Sequence, residues 1–297
     1  MSNILYKQNL EENLRLLSAQ RQSYNEAKFY RSCYRILVSV PCLLSFLVIN
    51  NYIDATDQYS VFRFLIDLFV VFVGYFLLHK SFTYQELGAN IQQKFDTNVF
   101  GLAFEWNAKK DQTEIEILYC KHKKDENIEK LRNWYSDEID NLDYPKDVLA
   151  SQKQNLFWSQ KVREDYINFN IVILIVCLFY TIFSICFFLT YNDYVLWKKI
   201  YEILVILLSL YCLLGQNIVD NIRSIRLLKK ANDKFSALQK HIVDSDDTRC
   251  INNMLNDIQK GIFEYRKMSV SVPNYYDRMR KFKLESSSRR IIRDLFN

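Results

Sequence analysis

Four long apolar runs, separated by stretches in which the charges collect, decide what this chain can fold into. A helix crossing the hydrocarbon core of a bilayer needs roughly 20 mostly apolar residues, and Ile171 to Leu189 meets this without one charged side chain. Ile36 to Ile53 is nearly as clean, with Pro41 near its start and Asn50 and Asn51 where a headgroup region would begin. Val61 to Leu78 carries Arg63 and Asp67, and Ile200 to Val219 carries Glu202 and later Gln216 and Asn217. Each of these follows a cleaner run after a short loop, and a hairpin returns the next lysine-rich stretch to the side it left. The expected fold is an all-α integral membrane protein: four transmembrane helices in two hairpins, with long helices extending into a cytoplasmic helical domain.

Averages conceal this, since 49% hydrophobic and 25% charged residues would also suit a soluble protein. Charge at the run ends gives the orientation. Lys28, Arg31 and Arg35 precede the first run, Lys80 follows the second, Lys161 and Arg163 precede the third, and Arg223, Arg226, Lys229 and Lys230 follow the fourth. The first outer loop offers only Asp54 and Asp57, while Lys198 and Lys199 in the second dissent but are outnumbered. By the positive-inside bias both termini are cytoplasmic and the chain is multi-pass. The organisation is then 1–35 as a cytoplasmic N-terminal helix, 36–78 and 167–219 as transmembrane hairpins, 79–166 as a cytoplasmic middle domain, and 220–297 as cytoplasmic C-terminal helices. The long, polar start lacks a cleavable signal pattern, so the first run is expected to remain as an anchor.

Five glycines and three prolines argue against a turn-rich β fold, and the glycines are too dispersed for a phosphate-binding loop. Cys42, Cys177, Cys186 and Cys212 fall inside apolar runs, which suggests no disulfide framework, and Cys120 with His122 lacks the further ligands of a closed metal site. With His79, His122 and His241 as the only histidines, and no nucleophile elbow or HExxH, no catalytic constellation is expected.

Outside the runs the pattern stays helical. Leu10, Leu14 and Leu17 mark one face of an N-terminal helix, and Ile218, Ile222, Ile225, Leu228, Phe235, Leu238 and Ile242 extend the fourth run as a stalk. Val148 to Phe169 reads as a helix leading into the third run. Breaks are expected at Phe95 to Asn107, Asp143 to Pro145, Asp244 to Asp247 and Ser269 to Pro273.

Polar residues inside the runs are candidates for function. Arg63 and Asp67 share a helix face, which suits a pore lining or gate; alternatively Arg63 snorkels to the outer headgroups with Asp67 paired one turn deeper. Glu202, Ser209 and Gln216 repeat at seven residues, lining a polar path or holding helices together.

The ordered motifs point to a family. Phe95-Asp96-Thr97-Asn98-Val99-Phe100-Gly101-Leu102 with Trp106-Asn107, Leu131-Arg132-Asn133-Trp134-Tyr135, and Gln152 to Trp158 with Arg163 and Tyr166 resemble, in order, elements of the SMODS-associating four-transmembrane effectors. Ile258-Gln259, Ile262-Phe263, Arg266, Val272-Pro273, Tyr276 and Arg280 resemble their closing pattern, so the resemblance spans nearly the whole chain. It implies a pore-forming effector in the bacterial inner membrane, acting in cyclic-oligonucleotide-based antiphage defence, with a cyclic nucleotide second messenger as activating ligand. A homo-oligomer in the lipid bilayer is expected, with neither DNA nor RNA as partner.

Such a ligand presents phosphates and base faces and needs cations with stacking rings. Trp158, Lys161, Arg163 and Tyr166 offer both near the third run, and Tyr265, Arg266, Tyr276 and Arg280 offer both in the tail. The competing readings are headgroup contacts and core packing, and for the whole chain a membrane-anchored receptor or scaffold without pore activity.

Overall fold

A computed structural model describes the chain except residues 1–2, 50–56, 104–107, 126–127, 190–193, 245–246, 271 and 296–297, and except the side chains of 46, 48–49, 57–60, 108–111, 123–125, 188–189, 194–203, 205–206, 209, 241–244 and 277. Among the described residues there is no strand. The helices are α1 (Ile4–Gln8), α2 (Glu11–Ile49), α3 (Asp57–Phe100), α4 (Ala108–Asp125), α5 (Lys146–Leu189), α6 (Tyr194–Asp244), α7 (Thr248–Met268) and α8 (Asn274–Asp294), with 3-10 turns at Ile128–Leu131 and Asp137–Asn141.

The chain divides into two units. Unit 1 comprises Met1–Ala27, Thr83–Glu164 and Asn221–Asn297; unit 2 comprises Lys28–Phe82 and Asp165–Asp220. The four long helices each contribute to both, because neither proline nor glycine interrupts α5 or the junction of the fourth run with its stalk strongly enough to end a helix.

Unit 1 is a helical bundle with its own core. Leu14 and Leu17 of α2, Ile91, Phe95 and Val99 of α3, Leu149 and Leu156 of α5, Leu228, Phe235 and Leu238 of α6, and Leu255, Ile258 and Ile262 of α7 are all buried. These positions recur at three, four and seven residues, the spacing of one helix face. Asp247 starts α7 by accepting from the Arg249 and Cys250 amides at 3.0 and 3.2 Å. Gly261 lets α7 approach α6 closely, since a Cβ there would lie 3.1 Å from the Ala231 Cβ. Two expectations shift. The helix α3 continues through Phe95 to Phe100, so the break begins only at Gly101, and Ile222 of the stalk stripe is exposed while Ile242 lies outside the described side chains.

Unit 2 reverses the usual distribution. Val61, Phe62, Phe64, Leu65, Phe69 and Phe72 of α3 and Val172, Val176, Phe179 and Phe183 of α5 are exposed. Among the described residues, two helices are long and apolar enough to cross a membrane, α3 within Val61–Phe100 and α5 within Lys146–Phe187, and only 6% and 17% of their most apolar windows are buried. A soluble core helix would be covered; these are not. The end of the first expected span, 50–53, lies outside the described residues, as do many side chains of the fourth.

Candidate functional site

The last turn of α3 organises the polar interior of unit 1. Phe95, Val99 and Phe100 enter the core, while the Leu102 amide donates to the Thr97 carbonyl at 3.1 Å and ends the helix. This six-to-one bond requires a left-handed residue between, and Gly101 supplies it with φ +70°. Asp96 is thereby fixed inside the bundle.

Three donors meet its carboxylate. Arg266 Nη1 approaches Oδ2 at 2.5 Å, Gln259 Nε2 donates to the same oxygen at 3.1 Å, and the Tyr135 hydroxyl donates to Oδ1 at 2.6 Å. Asn155 Nδ2 donates to the Tyr135 oxygen at 3.0 Å. Gln259 Nε2 also reaches Gln93 Oε1 at 2.9 Å, and Gln152 Nε2 donates to the Leu255 carbonyl at 2.9 Å and to Gln259 Oε1 at 3.3 Å. Gln85 Nε2 holds the Arg266 carbonyl at 2.9 Å. The buried carboxylate and guanidinium neutralise one another, and the carboxylate also accepts from the Gln259 amide and the Tyr135 phenol, as burial of a charge requires.

Electrostatics follow from this closure. Burial penalises the charge of Arg266, but Asp96, Tyr24 and Tyr135 outweigh it and raise its pKa. Burial, then the Asp96 charge, pushes the Tyr135 phenol well above its ordinary range, so it stays a neutral donor. Burial likewise raises Tyr24, whose hydroxyl donates to Gln92 Oε1 at 3.1 Å.

The segment before α5 is latched to the N-terminus. Gln8 Oε1 accepts from the Tyr135 amide at 2.7 Å; Asn9 Nδ2 donates to Asn133 Oδ1 at 3.0 Å, and the Asn133 amide returns to Asn9 Oδ1 at 3.1 Å. Asn133 adopts φ 54°, a left-handed conformation that asparagine tolerates better than most residues. Gln154 closes the same segment from α5, accepting from the Ser136 amide and donating to the Trp134 carbonyl.

A second knot joins α5, α6 and α7. Arg163 donates through Nε to the Tyr265 hydroxyl at 2.6 Å, and through Nη1 to Asn221 Oδ1 at 2.7 Å and the Val270 carbonyl at 2.9 Å; its guanidinium also lies over the Tyr265 ring. The two residue groups singled out near the third run and in the tail therefore meet within unit 1, at Arg163 and Tyr265. Tyr276 is buried with the Arg280 guanidinium over its ring, whereas Trp158 and Lys161 are half-exposed, Lys161 near Glu164 at 3.7 Å. Tyr166 belongs to unit 2, where it is buried against Phe169.

In unit 2, Arg63 Nε donates to both Asp67 oxygens at 3.1 and 3.2 Å, and Nη1 to Ser45 Oγ at 3.0 Å, joining α3 to α2. Arg35 Nη2 donates to Asn217 Oδ1 at 2.5 Å and Arg31 lies 3.7 Å from Asp220, joining α2 to α6. Gln216 is exposed. Glu202 and Ser209 lie outside the described side chains. Cys120 is exposed, while His122 is buried with Nδ1 2.9 Å from Ser18 Oγ.

Asp96, Tyr135 and Gln259 do not stand out in the sequence as site residues, although each lies in a motif quoted above. The signal available was a carboxylate between Phe95 and Val99, inside an apolar helix face.

Comparison with known proteins bears on the chain as a whole. A family model described as the SMODS-associating 4TM effector domain matches residues 2–295. A protein of Bacillus cereus strain VD146 described as a probable CBASS effector molecule is 29% identical over 288 residues, covering 92% of this chain and 91% of its own length. No solved structure matches.

Proposed function

The chain belongs to the SMODS-associating 4TM effector domain family, and from this we propose that it is a CBASS effector of antiphage defence that breaches the bacterial inner membrane when a cyclic nucleotide reaches its cytoplasmic part. Unit 2 carries out the breach and unit 1 does the sensing. The supporting observation is the outward apolar coat of α3 and α5, a surface that water destabilises and lipid accepts. With α2 and α6 as the remaining crossings, the four spans leave both termini cytoplasmic.

Unit 1 has what a sensor needs. Half-exposed Trp158, Lys161 and Arg280 supply a stacking ring and cations for a cyclic oligonucleotide, while Arg163, Tyr265, Arg266 and Tyr276 hold the helices from which those groups project. Helices shared by both units provide the mechanical link, since α5 carries Trp158 and Lys161 and then continues into unit 2. Ligand binding shifts the shared helices, and copies of the chain in the bilayer rearrange into a leak.

The test uses living cells. The chain is expressed with a synthase making one cyclic di- or trinucleotide at a time, and membrane potential is followed with a voltage-sensitive dye. Rapid depolarisation with one nucleotide, and none with a catalytically dead synthase, is the expected result. Retained potential with every nucleotide contradicts the proposal, and unchanged potential combined with capture of a cytoplasmic protein favours the scaffold reading.

A further inference from the structure

We infer that the outward face of α6 just past the fourth expected span is a docking surface for anionic lipid headgroups, with Arg223, Arg226, Lys229 and Lys230 taking the lipid phosphates. This rests on the membrane-spanning reading of unit 2 alone and holds whether or not a pore forms. Asn221, Ser224, Leu228 and Ala231 of α6 are buried in unit 1, while Ile222, Arg223, Arg226, Lys229 and Lys230 on the opposite face are exposed. No carboxylate stands between Asp220 and Asp233, and among the described residues none of the four cations has an ion-pair or hydrogen-bond partner for its side chain. Like charges three and four residues apart repel one another, so this face favours an anionic surface.

The position along the helix matches a headgroup layer. Arg223 and Arg226 follow Val219, where the fourth expected span ends, by about 6 and 10 Å of helix. A headgroup layer is about 5–8 Å thick on each side of the hydrocarbon, and Lys229 and Lys230, one turn farther, stand within a Debye length of about 8–10 Å from it.

Apolar groups stand at the same end of unit 1. Arg163 Nη1 donates to both Asn221 Oδ1 and the Val270 carbonyl, so the corner between α7 and α8 lies beside the start of the cationic stripe. Asn274 Nδ2 donates to Asn25 Oδ1 at 3.0 Å and Lys267 pairs with Glu86 at 2.7 Å, which ties this corner to the stretches of α2 and α3 adjoining the unit 1 limits Ala27 and Thr83. From it project Met268 and Tyr275, 49% and 57% exposed.

A soluble cyclic nucleotide shares the phosphate chemistry, but small ligands are held in concave sites by groups that converge on them. Here the cations spread along a convex helix face, with Ile222, Met268 and Tyr275 exposed at its start. Cations beside apolar side chains fit a surface that is anionic outside and apolar beneath.

The experiment uses the full chain in detergent micelles with phosphatidylglycerol and phosphatidylcholine of identical acyl chains, and native mass spectrometry reads which lipid is retained. Wild type should prefer phosphatidylglycerol by at least about tenfold. The preference should fall severalfold when Arg223→Gln, Arg226→Gln, Lys229→Gln and Lys230→Gln are combined. It should hold in Arg223→Lys with Arg226→Lys, and in Lys234→Gln with Lys240→Gln, exposed cations farther along the same helix. Should the quadruple variant not fold, Arg226→Gln with Lys230→Gln decides by the same ratio. Equal retention of the two lipids by wild type, or a preference that neutralising the stripe leaves untouched, overturns the inference. Displacement of bound phosphatidylglycerol by an equimolar cyclic dinucleotide assigns the stripe to a soluble ligand and overturns it as well. Leakage plays no part in this readout, so failure here leaves the pore reading standing, and failure of the pore reading leaves this one.

Discussion

Arg266 and Asp96, 170 residues apart in the chain, meet at 2.5 Å with both side chains almost wholly out of solvent. A buried pair of this kind contributes little net stability over an apolar pair, but loss of one member leaves the other charge stranded. Arg266→Met and Asp96→Asn are each expected to destabilise unit 1, Arg266→Met by about 3–5 kcal/mol. The double variant should lose clearly less than the sum of the two, because the stranded charge is gone. Denaturant titration followed by tryptophan emission reads this directly, since Trp134 and Trp158 both belong to unit 1. Additive losses would contradict the coupling.

The Tyr135 phenol gives the same network a pH signature. Its pKa is higher folded than unfolded, so the folded state prefers the protonated phenol. The associated stability is complete below the ordinary phenol range, near pH 10, and is lost as pH rises through and beyond it. Unit 1 should therefore weaken on alkaline titration above about pH 9.5, and Tyr135→Phe should lessen that slope without abolishing it, because Tyr24 is raised in the same direction. Melting temperature against pH for the two proteins is the measurement.

How much of this was legible beforehand divides by distance along the chain. The outward apolar faces of α3 and α5 follow from local composition, and Asp96, Tyr135, Gln152, Asn155, Arg163, Gln259 and Arg266 all stand in the short motifs that carry the family resemblance. Their convergence was not readable, because Tyr135 is 39 residues from Asp96 and Gln259 is 163, and no periodicity links residues across three helices. Tyr276 and Arg280 illustrate the same limit: their spacing of four residues does not say that the Tyr276 ring is buried while the Arg280 guanidinium, half-exposed, lies over it.

Gly101 tests the helix stop that places Asp96. Gly101→Ala forces a Cβ into φ +70° and should cost about 1–2 kcal/mol, with Gly101→Asn milder because asparagine tolerates that region. Equal stability of the alanine variant and wild type in thermal unfolding would contradict the strained-stop account.

Arg163 is bound in three directions and over a ring face. Lysine keeps the charge but not the planar fork, so Arg163→Lys should destabilise unit 1 by about 1–3 kcal/mol. Hydrogen exchange should rise locally in α7 around Tyr265, whereas uniform protection would show that charge alone suffices.

The central claim, a membrane effector opened by a nucleotide, is tested most directly with purified full chain in liposomes loaded with a potassium salt. Cyclic di- and trinucleotides are added one at a time and potassium efflux is recorded, with the matching linear nucleotides as controls. The account predicts prompt efflux with one cyclic nucleotide and none with its linear form. Liposomes that hold their potassium against the whole series, while the same protein remains folded and inserted, would contradict it.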